Sequence, residues 1–129
     1  MLIPTYSRCF LLINFKTLIM KEYGVQIEAW GPLAEGQKDI FHNATLTAIA
    51  KKHNKSVAQV ILRWHIQRGV VIIPKSVHKE RIEENIDIYD FELSAEDMAA
   101  ITAMDLGHSE IIDHYSAAAA KWLNSFKIH

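Results

Sequence analysis

Apolar and polar positions alternate along this chain in blocks of two different periods. Val25 to Trp30 carries Val, Ile and Trp and is stopped by Gly31-Pro32, which predicts a strand. Val70-Val71-Ile72-Ile73 is an unbroken β-branched run bounded by Gly69 and Pro74. Such a run predicts a strand over 70–74 covered on both faces, as in a parallel sheet. Between these strands the period becomes helical. Asn43 offers an N-cap for a helix over 44–53 with Leu46, Ile49 and Ala50 on one face, and Lys51, Lys52 and His53 meet its C-terminal carbonyls. Ser56 and Gln59 have capping-box spacing for a helix over 57–68, in which Val57, Val60, Ile61 and Trp64 form the buried stripe and Gly69 closes the end.

Further helices are expected at 16–23 (ended by Gly24), at 79–88 with Ile82 and Ile86 inward, and at 95–104, capped by Ser94 with Asp97. A last one is expected at 117–126. Strand, helices, strand, helix is α/β grammar, but two parallel strands leave unpaired edges, so the pattern reads as a slice of a larger sheet.

The 129 residues hold 14 Lys and Arg against 15 Asp and Glu, a balance without the basic footprint of a nucleic-acid binder. The single cysteine, Cys9, has no internal disulfide partner, which suggests a reducing, cytoplasmic setting. The apolar run Cys9 to Phe15 lacks a basic start and a small-residue cleavage site and is too short to cross a bilayer. It reads as the start of a buried element. The seven histidines show no metal-ligand spacing, so no metal site is expected.

The informative stretch is Ile73-Pro74-Lys75-Ser76-Val77-His78-Lys79-Glu80-Arg81-Ile82-Glu83-Glu84-Asn85. Lys75 and Ser76 leave the carboxyl end of a buried strand, where α/β folds place ligands, and a helix opens directly afterwards with free N–H groups that attract phosphate. Arg81, Glu84 and Asn85 share one face of that helix. This set suits a phosphorylated ligand bearing a heterocycle. A solvated helix face with weak surface pairs fits the same residues, and the spacing alone leaves both readings open.

Ile73-Pro74-Lys75-Ser76, followed by Arg81 and Glu84-Asn85, resembles the C-terminal signature of the aldo-keto reductase family. Other blocks agree in order. Glu28-Ala29-Trp30-Gly31-Pro32-Leu33 is similar to that family's seventh barrel strand and its loop, Leu46 to Arg68 to the helical pair that follows, and Phe91-Glu92-Leu93-Ser94 with Asp97-Met98 to the segment after the cofactor helix. Asp113-His114 and Lys121-Trp122-Leu123 resemble a family tail. The resemblance covers residues 16–129 and leaves 1–15 as an atypical segment.

It implies the C-terminal part of a (β/α)8 TIM barrel: about two βα units plus C-terminal helices, an incomplete barrel where a whole one takes roughly 250 residues. It also implies an NADP(H)-dependent oxidoreductase that reduces aldehydes or ketones by hydride transfer. Trp30 would stack on the nicotinamide. Gly31 stands where many members have serine, leaving backbone contacts from Gly31 and Leu33. Lys75, Ser76 and Val77 would surround the 2′-phosphate, with Arg81 pairing to it and Glu84 and Asn85 contacting adenine. His78 occupies a position often held by Thr or Asn.

The tyrosine that donates the proton in this family, with its aspartate, lysine and histidine support, belongs to early strands. Tyr6, Tyr23, Tyr89 and Tyr115 lie outside any matching context. The chain alone is therefore expected to be inactive, its partners in the parent enzyme being NADPH and a small carbonyl substrate. Two further readings stand beside this one. One is a non-catalytic nucleotide-binding or interaction module. The other is a helix-turn-helix over Ile49 to Gln59, disfavoured because Val57, Val60, Ile61, Leu62 and Trp64 want burial.

Overall fold

The computed structural model describes residues 19–29, 31–36, 39–104 and the short pieces 117–118, 121 and 124–125. Both predicted strands form within their windows. Strand β1 spans Ile27–Ala29 and strand β2 spans Val70–Ile72. They pair in parallel, with Ile27 opposite Val70, Glu28 opposite Val71 and Ala29 opposite Ile72. Gln26 Nε2 fastens the start of the pair by donating to the Gly69 carbonyl at 2.9 Å.

The crossover between the strands contains two helices, α1 (Ala44–His53) and α2 (Val57–Gln67). Each starts where its sequence provides a cap. Asn43 Oδ1 accepts from the Leu46 N–H at 3.2 Å. Ser56 and Gln59 form the full reciprocal box, with bonds of 3.2 and 3.0 Å. Gly69, at φ +71°, then turns the chain from α2 into β2.

After β2 come α3 (Lys79–Ile86) and α4 (Ala95–Thr102), the latter opened by a second reciprocal box between Ser94 and Asp97. Residues 19–22 are helical, as are Ala117, Ala118 and Lys121. The expectations for residues 1–15, for Asp113-His114 and for Trp122 lie outside the described residues.

The core is the α1–α2–α4 junction. Leu46, Ile49 and Ala50 meet Val60, Ile61 and Trp64, with Leu93 and Ile101 closing the far side. Trp64 is fully buried, and each such large apolar side chain contributes on the order of 2 kcal/mol on leaving water. α2 packs on α1 by one side and on β2 by the other, so none of its residues is exposed. Its apolar stripe is turned toward α1 and β2, the burial that Val60, Ile61, Leu62 and Trp64 call for.

Polar ties then fasten the layers. Asp97 on α4 accepts from Lys52 Nζ at 3.0 Å and pairs with His53 Nε2 at 2.8 Å, both on α1. Gln67 exchanges two bonds with the Leu93 backbone, at 2.8 and 3.0 Å. Lys55 bridges Asp87 and Asp90 at 2.8 and 2.7 Å. The hydrogen bonds that it donates to Asp87 and then to Asp90 hold the Lys55 ammonium above its ordinary pKa.

Two expectations are corrected. β2 is covered on one face: Val70 is buried, whereas Val71 is 40% and Ile73 66% exposed. The two-stranded sheet has no further described strand or layer over the Val71 side. Ile82 and Ile86 were expected inward, but they are 45% and 67% exposed, because α2 is the one described element against which α3 packs to any extent. Glu28, in the middle of β1, is exposed as well.

Candidate functional site

Parallel pairing fixes where the chemistry gathers. Because β1 and β2 run the same way in register, the loop leaving β1 at Gly31–Leu33 and the loop leaving β2 at Pro74–Val77 emerge at the same carboxyl end of the sheet. Two stretches far apart in sequence are thereby brought to one edge.

The second loop leads straight into α3. Ser76 Oγ accepts from the His78 N–H at 3.1 Å and also bonds the His78 carbonyl at 3.4 Å, so the hydroxyl shapes the turn that starts the helix. His78 is the N-cap residue, in extended backbone at φ −100°, and its imidazole makes no capping bond. The first N–H groups of α3 are left without a side-chain cap, which is the arrangement that favours an anion. Lys75 and Arg81 flank this helix start, both exposed, and neither makes an ion pair among the described residues. Lys79 instead pairs with Glu83 at 3.7 Å, an exposed contact worth little.

Glu84 and Asn85 lie one turn further along α3 and are half-buried, whereas Arg81 is exposed. The Glu84 carbonyl accepts from Gln59 Nε2 at 3.2 Å, and the same amide donates to the Asp87 carbonyl at 2.7 Å. Gln59 thus anchors the C-terminal half of α3 to α2 and fixes the direction in which the Arg81 face points. Val77 is 78% exposed beside the turn, with no core role.

On the β1 side, Gly31 adopts φ +66° and its carbonyl accepts from the Ala34 N–H at 2.9 Å, while the Leu33 carbonyl accepts from the Gly36 N–H at 2.9 Å. Gly31 can hold this left-handed turn at no steric cost, which serine could not. Leu33 leans on the core cluster. Trp30 lies outside the described residues.

Sequence reasoning missed a residue that braces this edge from behind. Gln59 was legible as a helix cap, yet its amide also reaches Glu84 and Asp87. His65, also on α2, is 1% exposed, its ring 4.9 Å from that of Trp64 in an edge-on arrangement. Burial, followed by the nearby Arg68 charge, pushes its pKa down to about 3, so the ring is neutral at ordinary pH. A histidine within an apolar helical stripe is the one signal that could have marked it.

Among the described residues, no helix is long and apolar enough to cross a membrane, and no three His, Cys, Asp or Glu side chains gather as a metal site.

Comparison with known proteins gives this edge a context. The sequence profile of the Aldo/keto reductase family matches residues 15–106. Glyoxal reductase of Bacillus subtilis is 61% identical over 85 residues, which are 66% of this chain and 30% of that protein. The crystal structure of an aldo-keto reductase from a Medee basin deep-sea metagenome library superposes with a TM-score of 0.75 at 37% identity, covering 82% of this chain and 40% of that one. A mutant of Gox0644 in complex with NADPH superposes with a TM-score of 0.67 at 37% identity, covering 74% of this chain and 35% of that one. The chain therefore spans about a third of the length of the proteins it matches.

Proposed function

The chain belongs to the aldo/keto reductase family, and from that premise we propose that it is the C-terminal, NADP(H)-binding part of a carbonyl reductase. In this reading Lys75, Ser76, Val77, His78 and Arg81 receive the 2′-phosphate end of the dinucleotide, Glu84 and Asn85 face its adenine, and the Gly31 and Leu33 backbone meets the pyrophosphate. Trp30 stacks on the nicotinamide.

The carrying observation is the pair of uncommitted cations, Lys75 and Arg81, at the uncapped start of α3. A helix start, a lysine point charge and a planar guanidinium suit a dianionic phosphate, and nothing described competes for them. The NADPH-bound relative supports the choice of cofactor. The name of the Bacillus relative supports a small reactive carbonyl compound as the substrate of the parent enzyme.

Bound NADPH would supply the hydride. This chain's own residues would hold the adenosine end, orient the ring through Trp30 and leave proton donation to a tyrosine elsewhere in the barrel. The exposed sheet face at Val71 and Ile73 supports action within a larger barrel rather than as a self-standing module.

Calorimetric titration of the chain with NADPH and NADH, together with a carbonyl-reduction assay, tests the reading. NADPH is expected to bind more tightly than NADH, without turnover. Lys75→Ala and Arg81→Ala should each reduce NADPH affinity by roughly 10- to 100-fold, the size of one charge-assisted bond, and leave NADH unchanged. Equal affinity for the two nucleotides, or an unchanged NADPH affinity in both variants, refutes it.

A further inference from the structure

One end of α3 is held firmly and the other is not. None of the helix's own residues, Lys79 to Ile86, is buried. Its C-terminal end is gripped from the start of α2. Gln59 is buried, and its amide donates to the Glu84 carbonyl at 3.2 Å, to the Asp87 carbonyl at 2.7 Å and to the Asp87 carboxylate at 3.2 Å. Lys55 Nζ donates to the same Asp87 carbonyl at 3.3 Å and to the same carboxylate at 2.8 Å. Directly beyond Asp87, the buried side chain of Ile88 returns the chain to the interior.

These bonds replace a C-cap. The last carbonyls of a helix have no partner within it, and α3 has neither a basic residue in its last turn nor a glycine after Asp87. Gln59 and Lys55 supply the donors from another helix. Oε1 of the same Gln59 accepts from the Ser56 N–H at 3.0 Å, so one side chain closes the start of α2 and the end of α3 together.

At the opposite end, among the described residues, no side chain from Lys79 to Ile82 bonds to another element. Arg81 stands six positions before Asp87, about 9 Å along the axis at about 1.5 Å per residue. A tilt of about 15° at the clamped end would carry Arg81 by about 2 Å, several times the span of distances over which a hydrogen bond holds.

We infer that Gln59 and Lys55 are positioning residues: together they clamp the C-terminal end of α3 so that Arg81, near its start, meets the 2′-phosphate of the cofactor. This rests on the cofactor reading above. It adds to that reading two side chains on α2 that govern affinity for a phosphorylated adenosine from the far end of the helix.

The test separates the two ends of Gln59. Gln59→Glu keeps an acceptor for the Ser56 N–H, so α2 retains its cap, but it has no donor for the Glu84 and Asp87 carbonyls. Lys55→Met keeps the apolar stem and removes the ammonium. In each variant, amide exchange should quicken in α3 and stay slow in α1 and α2, and NADPH affinity by calorimetry should fall about tenfold. Each substitution is then combined with Arg81→Ala. A clamp that acts by placing Arg81 has nothing left to place, so the further loss should be less than about twofold, whereas general loosening of the fold would add in full.

An unchanged NADPH affinity in either folded variant, or a full further loss in the Arg81→Ala background, overturns the clamp and spares the cofactor reading. If Gln59→Glu does not fold, Lys55→Met decides by the same two measurements. Failure of the unaltered chain to bind NADPH overturns the cofactor reading and the clamp with it.

Discussion

Asp97 offers a direct measure of what joins α1 to α4. Its carboxylate is almost fully buried and accepts from Lys52 Nζ at 3.0 Å, from His53 Nε2 at 2.8 Å and from the Ser94 N–H at 3.2 Å. Lys52 is half exposed, so its share is screened and amounts to about 0.5 kcal/mol. The His53 contact is shielded and contributes about 1–1.5 kcal/mol. Loss of the reciprocal cap at Ser94 costs about 1 kcal/mol. Asp97→Ala should therefore lower unfolding free energy by about 3 kcal/mol, read by urea denaturation followed through Trp64 fluorescence.

Asp97 also predicts a shape for the acid limb. Burial works against its charged form, but the bonds from His53, Lys52 and the Ser94 backbone outweigh it and hold the pKa well below the ordinary 3.8. The folded state thus binds its proton later than the unfolded state on acidification. The stabilisation is complete above about pH 4 and is lost as the pH falls further. Asp97→Asn, which keeps the shape and one acceptor, should be less stable at pH 7 and flatter below pH 4. A loss under 0.5 kcal/mol in Asp97→Ala, or an unchanged acid limb in Asp97→Asn, would refute the reasoning.

Other outcomes follow from single observations. Because His65 titrates at about 3 when folded and near its ordinary 6.5 when unfolded, stability should hold above pH 6.5 and decline below it, by about 1.4 kcal/mol per pH unit down to about pH 3. Denaturation midpoints at pH 7, 6 and 5 check this, and His65→Leu should flatten that limb. Gly69→Ala places a Cβ at φ +71° where nothing crowds it, so the cost is backbone strain alone, about 1 kcal/mol by thermal melting. Ile86→Lys removes an exposed apolar side chain and puts a cation in the last turn of α3, which has no basic residue there. Stability should change by a few tenths of a kcal/mol at most, and self-association measured by sedimentation should fall.

The local signals in the sequence were faithful ones. Asn43, Ser56 with Gln59, and Ser94 with Asp97 start their helices as their spacing implied, because a cap is decided by neighbours within four residues. Both strands formed inside their predicted windows, which are β-branched runs bounded by glycine and proline, although their pairing is long-range. The long-range ties were invisible. Asp97 with Lys52 and His53, Gln59 with Glu84, and Lys55 with Asp87 all join residues whose proximity depends on how helices pack, and no short-range pattern encodes that.

The burial of β2 and α3 was misjudged in one direction. A run such as Val70 to Ile73 records the environment for which its residues are suited, and here one side of that environment is not part of the described chain. The candidate site was legible as a residue set at one strand end. Its second half, the loop after β1, needed the parallel register to bring it there.

The crossover geometry carries a consequence for how the molecule is assembled. Val70 is forty-three positions beyond the residue it faces, Ile27, and the whole of α1 and α2 lies between them. A chain emerging from the ribosome can complete both helices and their junction before the second strand exists, since their contacts are closer in sequence. Strand registry is then a late event, guided by a helical template already in place, and the edge that carries the candidate site is completed only once β2 and α3 have joined it.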